Sequence, residues 1–167
     1  IIYYWKKNGK AAVVVPTGFV TAKGIERKIR EKLINEKMLA GVINMPSNIF
    51  AKTGTNVTVL FIDRNNNEKV TLIDASKLGT QIKVGKNKKT LLSEDDEKVI
   101  INTFLKKDTI DDFSIVLSYD EFPKKNFSFS PGQYFEVKIE HLDLSEKEFN
   151  SKVSSFNKEL KDIFEES

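Results

Sequence analysis

Cysteine is absent from this 167-residue chain, and histidine occurs once, at His141. Without cysteine there is no disulfide framework, thiol nucleophile or thiolate metal site, and a cytoplasmic location is the simple expectation. One histidine cannot build a His-based metal cluster or a Ser-His-Asp triad, so no metal ligands are assigned. No apolar run approaches the roughly 20 residues that span a bilayer, and nothing reads as a signal peptide, so no membrane partner is expected. Phosphate-cradling glycine motifs are also missing. Neither G-x-G-x-x-G nor G-x-x-x-x-G-K-S/T occurs, and Gly85-Lys86 lacks the second glycine and the strand that should precede it.

What remains suits a globular chain of one domain or slightly more. Hydrophobic residues make up 40%, with 12 Phe, and 31% are charged. The net charge of +3 conceals an asymmetry: residues 1–80 hold 13 Lys/Arg against 6 Asp/Glu, and residues 81–167 hold 14 against 18. A basic N-terminal half suits a polyanion, nucleic acid being the commonest, although solvated helix faces and loop lysines give the same count.

The order of elements is more informative. Ile1-Ile2-Tyr3-Tyr4-Trp5 before Lys6-Lys7-Asn8-Gly9 resembles the last turns of a helix with a glycine stop, which predicts a piece of a longer protein. Ala11 to Val15 is a continuous apolar run without alternation, the pattern of a strand buried on both faces. Thr21 is placed to cap a helix over about 22–36, with Ile25, Ile29 and Leu33 on its apolar face. Strands follow at 39–45, 57–63 and 70–74, the last two joined by Arg64-Asn65-Asn66-Asn67 as an expected hairpin. This predicts an α/β fold: the C-terminal half of a doubly wound, Rossmann-like sheet, with parallel strands and an antiparallel edge hairpin.

The character changes after residue 78. Residues 79–90 are polar and basic and read as mobile. Ser93 caps a helix carrying Val99, Ile100, Phe104 and Leu105, and residues 113–119 read as a strand. Ser145 and Glu148 form a capping box before a last helix, where Phe149, Val153, Phe156, Leu160 and Ile163 make a short heptad seam. The expected divisions are therefore 1–78, a mixed α+β extension over 79–143, and a helical tail over 144–167. The seam has two readings, packing on its own domain or meeting a partner helix. Half a sheet also leaves an open edge through which the chain could self-associate.

One loop stands out. The second strand ends at Met45-Pro46, and a polar segment then carries a single large aromatic, Phe50, before Lys52-Thr53-Gly54-Thr55-Asn56 leads into the next apolar run. Loops held between rigid strands are where function concentrates. The turn Pro16-Thr17-Gly18 follows the first strand at its carboxyl end, where α/β sheets bind ligands, and gives a candidate pocket rim. Lys23, Arg27, Lys28, Arg30 and Lys32 suit either DNA phosphates or a solvated helix face.

These pieces have a familiar order. Gly9-Lys10-Ala-Ala-Val-Val-Val-Pro-Thr-Gly-Phe precedes the basic helix, and Ala40-Gly41-Val42-Ile43-Asn44-Met45-Pro46 follows it. Next come Ile49-Phe50-Ala51-Lys52-Thr53-Gly54-Thr55-Asn56 and Leu60-Phe61-Ile62-Asp63-Arg64. Together they resemble the modification subunit of type I restriction–modification systems, an S-adenosylmethionine-dependent adenine-N6 DNA methyltransferase. Asn126-Phe127-Ser128-Phe129-Ser130-Pro131-Gly132-Gln133-Tyr134 is similar to the family's N-L-S-P-x-R-Y segment, with Gln133 where Arg is usual.

The resemblance implies S-adenosylmethionine as cofactor, and DNA, a specificity subunit and a restriction subunit as partners. It implies that Phe50, with Thr53, Gly54, Thr55 and Asn56, faces a flipped target base, while Lys23 and Lys52 touch the DNA backbone. The alternative for Phe50 is an anchor tucked under its own loop. The family's donor-binding glycine motif and Asn-Pro-Pro-Phe/Tyr tetrapeptide occur nowhere in the sequence. No catalytic residue is therefore assigned, and the chain alone is expected to be inactive. Two other readings stay open: a non-catalytic assembly module, and part of an unrelated nucleotide-dependent α/β enzyme.

Overall fold

The apolar runs are strands in the computed structural model, which describes residues 8–50, 56–66, 69–85, 87–135, 149–151 and 153–156. Expectations placed on Ile1–Lys7, Lys52, Thr53, Gly54, Thr55, the Ser145–Glu148 capping box, Leu160 and Ile163 lie outside these residues. The elements are β1 (Lys10–Pro16), a 3-10 turn (Thr17–Val20), α1 (Ile25–Asn35), β2 (Leu39–Asn44), β3 (Val57–Asp63) and β4 (Lys69–Asp74). They continue with β5 (Thr80–Val84), β6 (Asn87–Leu91), α2 (Glu94–Lys106) and β7 (Ser114–Ser118).

Five strands form one sheet in the order β1-β3-β2-β4-β7. β2 and β4 are parallel neighbours, while β3 runs antiparallel to both β1 and β2, and β7 antiparallel to β4. The fold is mixed α/β, as expected, with one correction. β3 and β4 do not form an edge hairpin; β3 lies inside the sheet between β1 and β2, and the chain crosses the end of β2 to begin β4. Asn66 secures that crossing. Its Nδ2 donates to the Leu39 carbonyl at 2.8 Å and to the Tyr119 hydroxyl at 2.8 Å, so the turn reaches over a strand instead of folding back.

Helices cover both faces. On one face Leu33, Ile34 and Met38 from α1 and its exit pack with Leu39, Val42, Leu60, Leu72, Phe122 and Phe129. On the other, Ile100 and Phe104 of α2 pack with Ile43, Ile73, Ala75 and Phe61. β2 and β4 are therefore the strands buried on both sides. A Cβ on Gly41 in β2 would collide with the Phe104 ring and lie 2.7 Å from the Thr71 carbonyl oxygen, so only glycine lets α2 approach this closely. Ala11–Val15 in β1 does not fit the two-sided reading. β1 is an edge strand, and Val14 is 52% exposed while Val13 and Val15 face the α1 side.

The buried stripe of α1 is also displaced from its expected position. Leu33 is buried, but Ile25 and Ile29 are exposed, and the core-facing residues are Arg30, Leu33 and Ile34. Gly24, not Thr21, occupies the N-cap. In α2 the capping box is present: Ser93 Oγ accepts from the Asp96 N–H, and the Asp96 carboxylate accepts from the Ser93 N–H.

The basic stretch expected to be mobile is instead a separate two-stranded hairpin of β5 and β6. The expected boundary at residue 78 falls inside one compact unit. That unit runs to Phe135, because β7 pairs with β4 in the main sheet; the second unit begins at Glu136. Within the second unit, residues 149–151 and 153–156 are helical, and Phe149, Val153 and Phe156 are exposed.

Candidate functional site

β1, β2 and β4 point the same way, so their last residues, Pro16, Asn44 and Asp74, share one edge of the sheet. The carboxyl edge of such strands is where α/β sheets place ligand sites. The loop bearing Phe50 leaves β2 and returns through β3 at this edge.

The loop is closed at its base by main-chain bonds. The Met45 N–H donates to the Val57 carbonyl at 3.0 Å, extending the β2–β3 ladder, and the Thr17 N–H donates to the Asn56 carbonyl at 2.9 Å. Two of the residues singled out in the sequence, Thr17 and Asn56, are thereby brought together. Beneath them lies a small polar floor. Thr58, fully buried, donates through Oγ1 to Asn44 Oδ1 at 2.9 Å and lies 3.3 Å from Thr17 Oγ1. The burial of Thr58 is tolerated because its hydroxyl is paired.

The loop is also held along its first limb, by a residue not singled out in the sequence. The Thr90 N–H on β6 donates to the Asn48 carbonyl at 3.0 Å, and the Thr90 hydroxyl donates to the Ser47 carbonyl at 2.6 Å. Thr90 is 3% exposed, the one buried residue among the described residues of β5 and β6, which are otherwise exposed apart from half-buried Lys89. Pro46 is buried, and Asn48 takes a left-handed φ of 56°, a conformation Asn tolerates better than most residues. Phe50, two residues on, is 50% exposed. The aromatic is thus presented from a loop tied at three places, and is not tucked beneath it.

Some of the missed residues left a trace in the sequence. Asn44 and Thr58 are polar residues within apolar strands, which in a buried strand marks a paired group. Thr90 left none, because nothing in a Lys- and Thr-rich stretch distinguishes the one side chain that docks. Of the helix cations, Lys23, Arg27, Lys28 and Lys32 are exposed, whereas Arg30 is 1% exposed and belongs to the interior. No helix among the described residues is long and apolar enough to cross a membrane.

Comparison with known proteins adds the following. Residues 1–143 match the family described as N-6 DNA Methylase. The chain is 29% identical to the type I restriction enzyme MjaIX methylase subunit of Methanocaldococcus jannaschii, over 99% of this chain and 31% of that protein. It is 26% identical to the type I restriction enzyme MpnII methylase subunit of Mycoplasma pneumoniae, over 97% of this chain and 30% of that one. The chain thus spans about a third of the length of these curated relatives. Among solved structures, the type I restriction-modification system methyltransferase subunit from Streptococcus thermophilus superposes with a TM-score of 0.71 at 29% identity, covering 81% of this chain and 28% of that one.

Proposed function

The chain belongs to the N-6 DNA Methylase family, and from that premise we propose that it forms the target-base side of a type I DNA adenine-N6 methyltransferase subunit. The observation that carries this reading is Phe50: a half-exposed ring on a loop tied at its base and along the limb that leads to the ring, at the carboxyl edge of the sheet. An enzyme that modifies a base inside a duplex must extrude it and receive it in a pocket, commonly between apolar or aromatic side chains. Phe50 is the stacking platform, Thr53, Gly54, Thr55 and Asn56 are assigned to contact with the same base, and Pro16, Thr17 and Gly18 form the rim. Lys23 and Lys52 approach the DNA backbone.

Methyl transfer in this family draws on S-adenosylmethionine. The residues present do not form a site for it, since the sequence has neither a glycine-rich donor loop nor the Asn-Pro-Pro-Phe/Tyr tetrapeptide. Donor binding and catalysis are therefore assigned to other parts of the complete subunit, in keeping with the two-thirds of each relative that lies outside the matched stretch. This chain's share is to receive and orient the base. The helical residues Phe149, Val153 and Phe156 present apolar side chains at helical spacing, and we assign that face to assembly with a specificity subunit and, through it, a restriction subunit.

Phe50→Ala in the complete subunit tests the base-receiving role against a purely assembling one. Loss of one stacked base costs about 1–3 kcal/mol, which is roughly a 5- to 150-fold fall in methylation at subsaturating DNA. Phe50→Tyr, which keeps the ring, should retain most activity. Unchanged methylation by Phe50→Ala would leave only the assembly role.

A further inference from the structure

A second feature lies beyond the connection that follows β1. Eight residues lead from the end of β1 at Pro16 to the start of α1 at Ile25. There a cleft of about 490 Å³ lies between the start of α1 and the segment after β7, lined by Lys23, Arg27, Arg30, Lys125, Asn126 and Gln133 among others, with no carboxylate in its wall.

Arg30 sets the character of this cleft. It is 1% exposed, and its guanidinium donates to three main-chain carbonyls: Nε to Phe127 at 2.8 Å, Nη1 to Phe19, and Nη2 to Ala22 at 2.8 Å. These are neutral acceptors. Among the described residues no ion pair offsets its charge. A guanidinium has five N–H donors, so two remain beyond the three used here. Burial lowers the pKa of Arg30, yet an arginine stays cationic throughout the accessible pH range. Its charge is therefore fixed and held in place, and Glu26 in the first turn of α1 is the carboxylate that acts on it.

Three further features have the same sign. Arg27 is steadied with its guanidinium 5.9 Å from the centre of the Phe127 ring, a distance at which cation and ring attract. Lys23 and Lys125 are exposed. Gly24 supplies no side-chain cap, so the first turn of α1 adds the positive end of its dipole, offset in part by Glu26 in the same turn. Four cations of differing mobility around one recess make a site for a phosphate group, which Arg and helix N-termini both suit.

Resting on the reading of this chain as DNA-facing, we infer that the cleft seats a backbone phosphodiester of the DNA strand that presents its base to Phe50. The cleft is wider than a single phosphate and leaves room for the adjoining sugars. The phosphate fixes the strand's register, while the loop receives the base.

The test uses the complete subunit with its specificity partner and measures cognate-DNA affinity between about 50 and 200 mM salt. Each phosphate contact contributes about 0.9 to the slope of log K against log salt. Lys125→Glu, an exposed position, should lower that slope by about one and weaken binding; Gln133→Arg, which adds a cation to the wall, should raise it. Equal melting temperatures of the variants ensure that a fold defect is not being read. In a second arm, inorganic phosphate is titrated against the protein without DNA at constant ionic strength.

Slopes that move in opposite directions in the two variants support the inference. Unchanged slopes overturn it. So does a loss of inorganic phosphate binding in Lys125→Glu with DNA binding intact, because the cleft would then serve a free anion. The outcome is separable from the stacking test: Phe50→Ala should leave the salt slope unaltered, and either result can fail alone.

Discussion

Two irregular segments carry aromatics at the end of a strand and treat them in opposite ways. After β7, the chain from Tyr119 to Tyr134 buries Phe122 and Phe129 completely, their rings edge to face at 5.8 Å, under a wall tied by Arg30 to the Phe127 carbonyl. After β2, the chain from Met45 to Asn56 leaves Phe50 half exposed, although its hydrogen bonds are as definite. The first segment is a lid on the core. The second is built to present its ring outward. Buried rings of this kind stabilise the fold, whereas the exposed ring of Phe50 is the one we propose to meet a ligand.

Stability measurements should separate the two most widely. Phe122→Ala empties a fully enclosed position and should cost about 3–5 kcal/mol in denaturant unfolding. Phe50→Ala, at a surface position, should stay within about 0.5 kcal/mol. A comparable loss from both would mean that the Phe50 ring is part of the core after all.

Thr90→Val sharpens the comparison at the loop's support. It removes the hydroxyl from the Ser47 carbonyl and should cost about 1–3 kcal/mol, leaving the Thr90 main-chain bond to Asn48 in place. Faster amide exchange confined to residues 47–50, with lower methylation by the complete subunit, is the expected result. Exchange that changes evenly across the sheet would contradict a local positioning role.

The smallest effect concerns pH. The Asp63 carboxyl is held below the usual carboxylate range first by the Asn65 N–H, then by Lys10 at 3.0 Å. A depressed carboxylate contributes fully above its ordinary value of 3.8 and loses that contribution as pH falls through the folded value. Asp63→Asn should therefore lower stability slightly at neutral pH and flatten its decline below pH 3.8. The segments after β2 and β7 should respond alike, since this pair clasps only the β1–β3 end of the sheet.

The strands and helices were legible in the sequence because apolar runs and capping residues report on the local chain. Their arrangement was less so. Arg64–Asn67 looks like a hairpin turn, and only the Asn66 side chain, bonded to Leu39 and Tyr119, shows that the chain crosses β2. Arg30 reads as a surface cation because its three carbonyl partners lie at residues 19, 22 and 127, one of them far along the chain. The exposed ring of Phe50 was legible because an isolated aromatic in a polar loop is itself a signal; Thr90, which steadies that loop, carries none.

The central claim is that Phe50 receives an extruded adenine. The most direct measurement places 2-aminopurine at the target position of cognate DNA and reads its emission in complex with the complete subunit. An extruded base stacked on Phe50 is partly quenched, so emission should rise in Phe50→Ala and stay near the original level in Phe50→Tyr. Equal emission from all three proteins would show that the base never meets this ring.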